Sequence, residues 1–354
     1  MAEAQFWLSP GTTVGRRYEI QDVLGIGGYG ITYRGIDSHL ERFVAIKEFF
    51  PSFWAARFVE RGLDIHCLAG MEGNYAKGKE RFLDEARTLV QLSSIPAIVR
   101  VNDYFEENGT AYLVMDFLDG KHLKQVADGF GGRIPADVLL PVMEPVILAL
   151  KQVHAKGMIH RDISPDNIMM LEDGSVRLID FGNARDTTDD RSMTMAMKQG
   201  FAAPEQYRSK GQGSWTDVYG ICATMYYCLT GKLPPQALER LTGAPFPTPR
   251  EMGVQIDPEK EQVILEGLEL YVNRRIQNME DLHERLYPKQ PVYVPPVTPQ
   301  PPVPEAPEIR TAILQPIAEQ EKKEELPELE QKVVAGIGQI RNLCSKIFKK
   351  LKEL

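Results

Sequence analysis

The 354-residue sequence predicts an α+β chain of two unequal lobes: a small antiparallel β-rich N-lobe with one helix, and a larger α-helical C-lobe. Three observations carry this. Short alternating runs of β-branched and aromatic residues, split by glycine or charged turns, occupy 18–127. Longer runs with helical spacing occupy 136–287. From Pro288 to Pro307, nine of twenty residues are proline, which lacks an amide donor and fixes φ, so packed structure stops there.

Residues 1–17 read as a lead-in. The N-lobe, 18–118, holds strands at Tyr18–Leu24, Ile31–Asp37 and Phe43–Phe49. A helix over Arg81–Gln91 follows, with Phe82, Ala86 and Leu89 on one face. Strands at Ile98–Phe105 and Ala111–Phe117 are divided by the turn EENG. The C-lobe, 119–287, holds helices including Pro141–Lys156 and Thr216–Thr230. Residues 288–331 form a linker, first proline-rich and extended, then acidic. Residues 332–354 regain helical spacing, with Val333, Ile337, Ile340, Cys344, Ile347, Leu351 and Leu354 in one stripe. That basic amphipathic C-terminal helix suits self-association or an anionic surface, whether a membrane, the acidic segment before it or the two lobes themselves.

With 41 Lys+Arg against 49 Asp+Glu, the net charge of −8 disfavours a nucleic-acid partner. The sum hides opposed parts: 305–331 holds three basic and eight acidic residues, and 332–354 holds six and one. Four cysteines without a CxxC pair are too few for a disulfide scaffold or a zinc site, so a reducing cytoplasm is expected. The first twenty residues lack a secretory pattern, and no run of 18 apolar residues suggests a transmembrane segment. A cytoplasmic protein is therefore expected, with peripheral membrane association through the tail left open.

Five motifs carry chemistry. LGIGGYGITY sets Gly25, Gly27 and Gly30 between two strand-like runs. Such glycines bring amide donors close to phosphates or simply turn a hairpin, and the strand that follows argues against the dinucleotide-binding version. In VAIKEFF, Lys47 lies in an apolar strand and shares a face with Ala45 and Phe49, so its charge wants a partner. Glu85 is the best placed carboxylate on the following helix, with Glu80 and Asp84 as alternatives. HRDISPDN spaces Asp162 and Asn167 so that a carboxylate meets a reacting hydroxyl and an amide oxygen meets a metal. RLIDFG then adds Asp180, a hard oxygen donor suited to Mg²⁺. An APE segment ends at Glu205.

In this order, these motifs resemble the eukaryotic-like (Hanks-type) serine/threonine protein kinases of bacteria over about residues 17–287. GIGGYGITYRG, VAIKEFFPS, HRDISPDN and GFAAPEQY are similar to one bacterial subgroup. The resemblance implies a bilobal protein-kinase-like fold that moves phosphate from ATP, with Mg²⁺ or alternatively Mn²⁺, to Ser or Thr of protein substrates in signalling. Gly25–Thr32, among them Ile26, Gly27, Gly28 and Gly30, would cover the ATP phosphates, and Leu24 would also bind the nucleotide. Ala45 and Met169 would enclose adenine. Met115 would be the gatekeeper, and Asp116 to Leu118 the hinge. Lys47, braced by Glu85, would hold the α- and β-phosphates. Asp162 would be the catalytic base, with Asn167 and Asp180 on the metal. Glu205 would pair with Arg275, with Arg274 competing, and Asp217 would brace the catalytic loop.

The pattern departs in places. Ser164 stands where the family carries a loop lysine, and Lys198 stands where it carries a threonine ahead of APE. These two changes read either as an exchange, with Lys198 supplying the ammonium and Ser164 the hydroxyl, or as two independent losses. Thr32 replaces the usual valine after the glycine loop. The segment between Lys47 and Glu85 is longer than a strand-to-helix link needs; the extra part, within 50–80, reads as a packed surface loop or a docking insertion. Arg161 before the catalytic Asp implies that phosphate on Thr187, Thr188, Ser192 or Thr194, placed there by autophosphorylation, would order the activation loop. A nucleotide-binding pseudokinase scaffold and a small-molecule kinase are the competing classes. Retained Lys47, Asp162, Asn167 and Asp180 weigh against the first, and the APE segment weighs against the second.

Overall fold

The computed structural model describes residues 6–58, 62–181, 185–186, 198–208 and 211–288. The linker past Pro288, the tail stripe with Cys344, and Thr187, Thr188, Ser192 and Thr194 lie outside them.

The alternating runs of the N-terminal third form one antiparallel sheet of six strands in the order β1-β2-β3-β4-β8-β7. They are β1 (Thr13–Val14), β2 (Tyr18–Ile26), β3 (Gly30–Asp37), β4 (Arg42–Phe49), β7 (Val101–Glu107) and β8 (Thr110–Asp116). β1 comes from the 1–17 lead-in and pairs Val14 with Tyr18. Register sets the later geometry: Thr32 lies opposite Lys47, Ala45 opposite Met115, and Lys47 opposite Leu113.

Helix α1 (Glu72–Leu92) packs on β7 and β8 through Tyr75, Phe82, Ala86 and Leu89. It starts nine residues before the expected Arg81. Gly73 and Gly78 read as loop, yet Tyr75 and Phe82, seven apart, already share the buried stripe. The described part of the extra segment carries regular structure. Its strands β5 (Ala55–Arg57) and β6 (Ile65–Cys67) pair antiparallel, and its last part is the first turns of α1. Arg57, 2% exposed, forms an ion pair with the wholly buried Glu48 of β4. The same carboxylate accepts from Tyr33 Oη at 2.7 Å and Tyr112 Oη at 2.8 Å, so its buried charge is fully engaged.

Residues 117–119 lead from β8 to a small sheet of β9 (Gly120–His122), β11 (Ile168–Leu171) and β12 (Val176–Leu178), in the order β12-β11-β9. The two-residue strands β10 (Met158–Ile159) and β13 (Arg185–Asp186) pair separately. Below lie α2 (Leu123–Gly129), α3 (Ala136–Ala155), α4 (Ser214–Thr230), α5 (Ala237–Leu241), α6 (Pro258–Gly267) and α7 (Met279–Leu286). α4 is buried along almost its whole length and packs on α3, α6 and α7. α3 begins five residues before the expected Pro141, and holds Pro141 and Pro145 within it. A proline inside a helix removes one bond and is costly, but Leu139, Met143, Val146, Ile147 and Leu150 bury the face that carries it through. α3 is long and apolar enough to cross a membrane by composition, and it is a core helix of this lobe. Two backbone bonds tie the lobes beside the hinge: Leu178 N–H to Ala97 O at 2.7 Å and Val99 N–H to Leu178 O at 3.1 Å.

Candidate active site

A cavity of about 420 Å³ opens between the lobes, large enough for a nucleotide-sized ligand. Strand alternation turns Ala45 and Lys47 into it and Val44, Ile46 and Glu48 away. Lys47 Nζ lies 3.1 Å from Glu85 Oε1 and 3.1 Å from Asp180 Oδ1. Of the alternatives, Glu80 is exposed and Asp84 pairs with Arg87 at 2.6 Å. Burial pushes the Lys47 ammonium down, but Asp180 and Glu85 outweigh it and hold it above the ordinary lysine value. The group stays charged in a slot whose wall is mostly apolar.

That slot is lined by Leu24, Gly25, Thr32, Ala45, Met115, Asp116, Leu118 and Met169. The Asp116 carboxylate is held by Arg42 at 3.0 Å and Asn102 at 2.9 Å. Ile26 ends β2, Gly27 and Gly28 lie in the turn, and Gly30 opens β3; none of the four lines the wall. Gly27 N–H donates to Gly30 O at 2.8 Å, and a Cβ on Gly30 would lie 2.5 Å from Glu48 O, so only glycine fits there. The wall also includes Leu89, Val99, Asp119, Gly120, His122, Gln125 and Ile179, none of them expected at the site from the sequence. Leu89 and Val99 were visible as apolar positions, but nothing marked them as facing a cavity. His122 and Gln125 carried no signal.

The catalytic-loop motif folds as a turn clamped from beneath. Asp217, in the first turn of α4, accepts from His160 N–H at 2.7 Å, Arg161 N–H at 2.8 Å and His154 Nε2 at 2.7 Å. Burial would raise its carboxyl, but His154, the His160 ring and the His160 amide hold it below the usual carboxylate range. Arg161 has φ +68°, a left-handed conformation that a non-glycine residue rarely adopts. Asp217 grips its amide, and Gln206 Nε2 donates to its carbonyl at 2.8 Å. Asp180 has φ +62° and is the second strained residue at this site.

Asn167 Nδ2 donates to Asp162 O at 2.7 Å and to Asp162 Oδ2 at 3.1 Å. Its amide oxygen is thus the atom left to present to a ligand. Lys198 Nζ donates to Ser164 Oγ at 2.8 Å and stands 3.7 Å from Asp162 Oδ2. The two residues that depart from the family pattern therefore meet beside Asp162. Burial pushes the Asp162 carboxyl up to about 6, with Lys198 opposing the rise and Asp180 adding to it.

Among the described residues, no cluster of three or more His, Cys, Asp or Glu could hold a metal unaided. Asp180 and Asn167 supply two hard oxygen donors next to a lysine. That set fits Mg²⁺ bound jointly with phosphate oxygens.

Farther down, Glu205 meets Arg275 through two bonds, 2.7 and 3.1 Å, and accepts from Thr216 Oγ1 at 2.9 Å. Arg274 instead stacks over Tyr271. The pair fixes the APE segment to the helical lobe.

A family model described as Protein kinase domain matches residues 18–243. PknD of Mycobacterium tuberculosis, a serine/threonine-protein kinase, is 29% identical over 275 residues, covering 75% of this chain and 38% of that protein. PknL, also a serine/threonine-protein kinase of M. tuberculosis, is 32% identical over 225 residues, covering 62% of this chain and 50% of that protein. The chain thus spans half or less of these relatives. The solved structure of PpkA-294 in its apo form aligns with a TM-score of 0.71 and 32% identity, over 80% of this chain and 100% of that one. The chain belongs to the protein kinase family, among the eukaryotic-like (Hanks-type) serine/threonine kinases of bacteria.

Proposed function

We propose that this protein transfers the γ-phosphoryl group of ATP to Ser or Thr hydroxyls of other proteins, as a signalling enzyme. The single observation that carries the reading is the meeting of Lys47, Asp180, Asp162, Asn167 and Lys198 at the junction of two lobes, beside an apolar slot. The slot takes the adenine. Lys47 holds α- and β-phosphate oxygens, with Glu85 fixing its direction. Asp180 and Asn167 hold Mg²⁺, which when bound screens phosphate charge. Asp162 orients the acceptor hydroxyl and takes its proton. Its partly raised carboxyl is a better base than an ordinary aspartate and is still ionised at neutral pH.

Lys198 supplies the ammonium that the catalytic loop lacks, with Ser164 as its anchor. A site that consumes ATP belongs in the compartment that holds it, the cytoplasm. The tail's net positive charge suits an anionic surface. The test is phosphoryl transfer from labelled ATP to protein by wild type and Asp162→Asn. Wild type labels protein, and the variant loses a factor of about 10²–10⁴, the usual worth of a general base. Nucleotide binding without transfer by wild type would instead favour the pseudokinase class.

A further inference from the structure

We propose that Trp54, in the inserted segment, is a positioning residue that ties the tip of the glycine loop to helix α1. The insertion thereby holds the cover of the nucleotide slot and the helix bearing Glu85 in one arrangement. This rests on the phosphotransferase reading above and adds a role for a segment which that reading leaves idle.

The contacts form a continuous chain. At the loop tip, the half-exposed Tyr29 sets its ring edge-on to Trp54, with centroids 5.6 Å apart and planes at 67°. Phe50 N–H donates to Tyr29 O at 3.0 Å, so the tip is fixed to the start of the insertion through backbone as well. On its other side Trp54 lies against α1 at Gly78. A Cβ there would stand 2.9 Å from Trp54 Cζ3 and 2.7 Å from Phe49 Cζ. The Phe49 ring packs on Phe82 at 5.8 Å, and the Phe82 ring lies 5.9 Å from Lys47 Nζ. Phe82 is one turn from Glu85 on α1, so the chain ends on the Lys47–Glu85 pair.

A brace must itself be held, and this one is. Trp54 N–H donates to Pro51 O at 2.8 Å, and its carbonyl accepts from Leu68 N–H at 2.8 Å. Arg57 in β5 is anchored on buried Glu48 and donates to Leu63 O at 2.9 Å. Ile65 N–H donates to Asn108 O at 2.9 Å, pinning the hairpin to the β7–β8 turn. The described part of the insertion is thus attached to the sheet at several points, while its aromatic end reaches the two elements whose relative position shapes the phosphate end of the slot. Tyr29 and Trp54 are both partly exposed, so their contact is not a requirement of the core.

The experiment uses the full chain as wild type, Trp54→Ala, Trp54→Phe, Tyr29→Ala and the double alanine variant. Mg·ATP affinity is read by calorimetry, kcat and KM by phosphoryl transfer, and deuterium exchange over residues 24–32 and 72–92. Each single alanine variant is expected to weaken ATP binding about 2- to 10-fold, the worth of one aromatic pair. KM should rise more than kcat falls, Trp54→Phe should recover most of the loss, and the double variant should be no worse than the weaker single. Exchange should quicken in both segments of Trp54→Ala. Unchanged affinity, fully multiplicative losses, or exchange quickened in the hairpin alone would overturn the proposal. Should Trp54→Ala lose cooperative melting, Tyr29→Ala at the loop tip decides by the same readouts. Failure of wild type to bind ATP would overturn the phosphotransferase reading, and this proposal with it.

Discussion

Lys198 decides how Asp162 behaves. Burial lifts that carboxyl toward 6, and the ammonium 3.7 Å away restrains the rise. Below its pKa the carboxyl is protonated and cannot accept a proton, so the rate should fall as pH drops through about 6. Removing the ammonium removes the restraint, so the carboxyl pKa rises and the acid limb moves to higher pH. Lys198→Ala should therefore lower kcat by about 10²-fold, the worth of one preorganised charge or donor, and shift the acid limb upward in a pH–rate profile. A lysine that only stabilised the fold would leave the limb where it is. Restoring a lysine at 164 in the Lys198→Ala background should recover part of the rate.

At the scale of elements, α1 gives a prediction on which sequence and structure differ in sign. Replacing an interior helical glycine with alanine ordinarily stabilises by about 1 kcal/mol. Gly78→Ala should destabilise instead, because the new methyl would meet Phe49 and Trp54 inside 3 Å. Thermal melting of the two proteins checks the sign. The same helix shows what was legible in the sequence. The Phe82, Ala86 and Leu89 stripe gave its existence and its buried face, and Lys47 pointed to Glu85. Its first turns were not legible, because Gly73 and Gly78 look like breakers until the ring that fills the space over Gly78 is known. The hairpin of the insertion was hidden for a related reason. Arg57 is buried only through its tertiary pairing with Glu48, which no local pattern reports. His122 and Gln125 reached the cavity wall through the hinge geometry, which periodicity does not report. Motif spacing did bring Asp162, Asn167, Asp180 and Lys47 to one place, because each sits at a strand or a tight turn whose position in the fold is strongly constrained.

For the whole molecule, the Glu205–Arg275 pair joins the end of the activation segment to the chain just before α7, with Arg275 fully buried. Removing one partner of such a pair leaves a buried charge uncompensated, so Arg275→Ala should cost about 3–5 kcal/mol, read by chemical denaturation. Asp217 gives the helical lobe a second fixed point under the catalytic loop, so that lobe is expected to unfold as a unit. Among the described residues, two backbone attachments join the lobes: the connection at 117–119, and the bonds of Leu178 with Ala97 and Val99. Two attachments define an axis. Any opening that preserves both must swing about the line through them, so Met115, Ile179 and the base of Asp180 stay near the pivot and barely move. The glycine turn, at the far end of the lever, sweeps the largest arc. Lifting that turn would open the slot while the Asp180 carboxylate keeps its place, and the amide of Leu178 should remain protected from solvent hydrogen throughout.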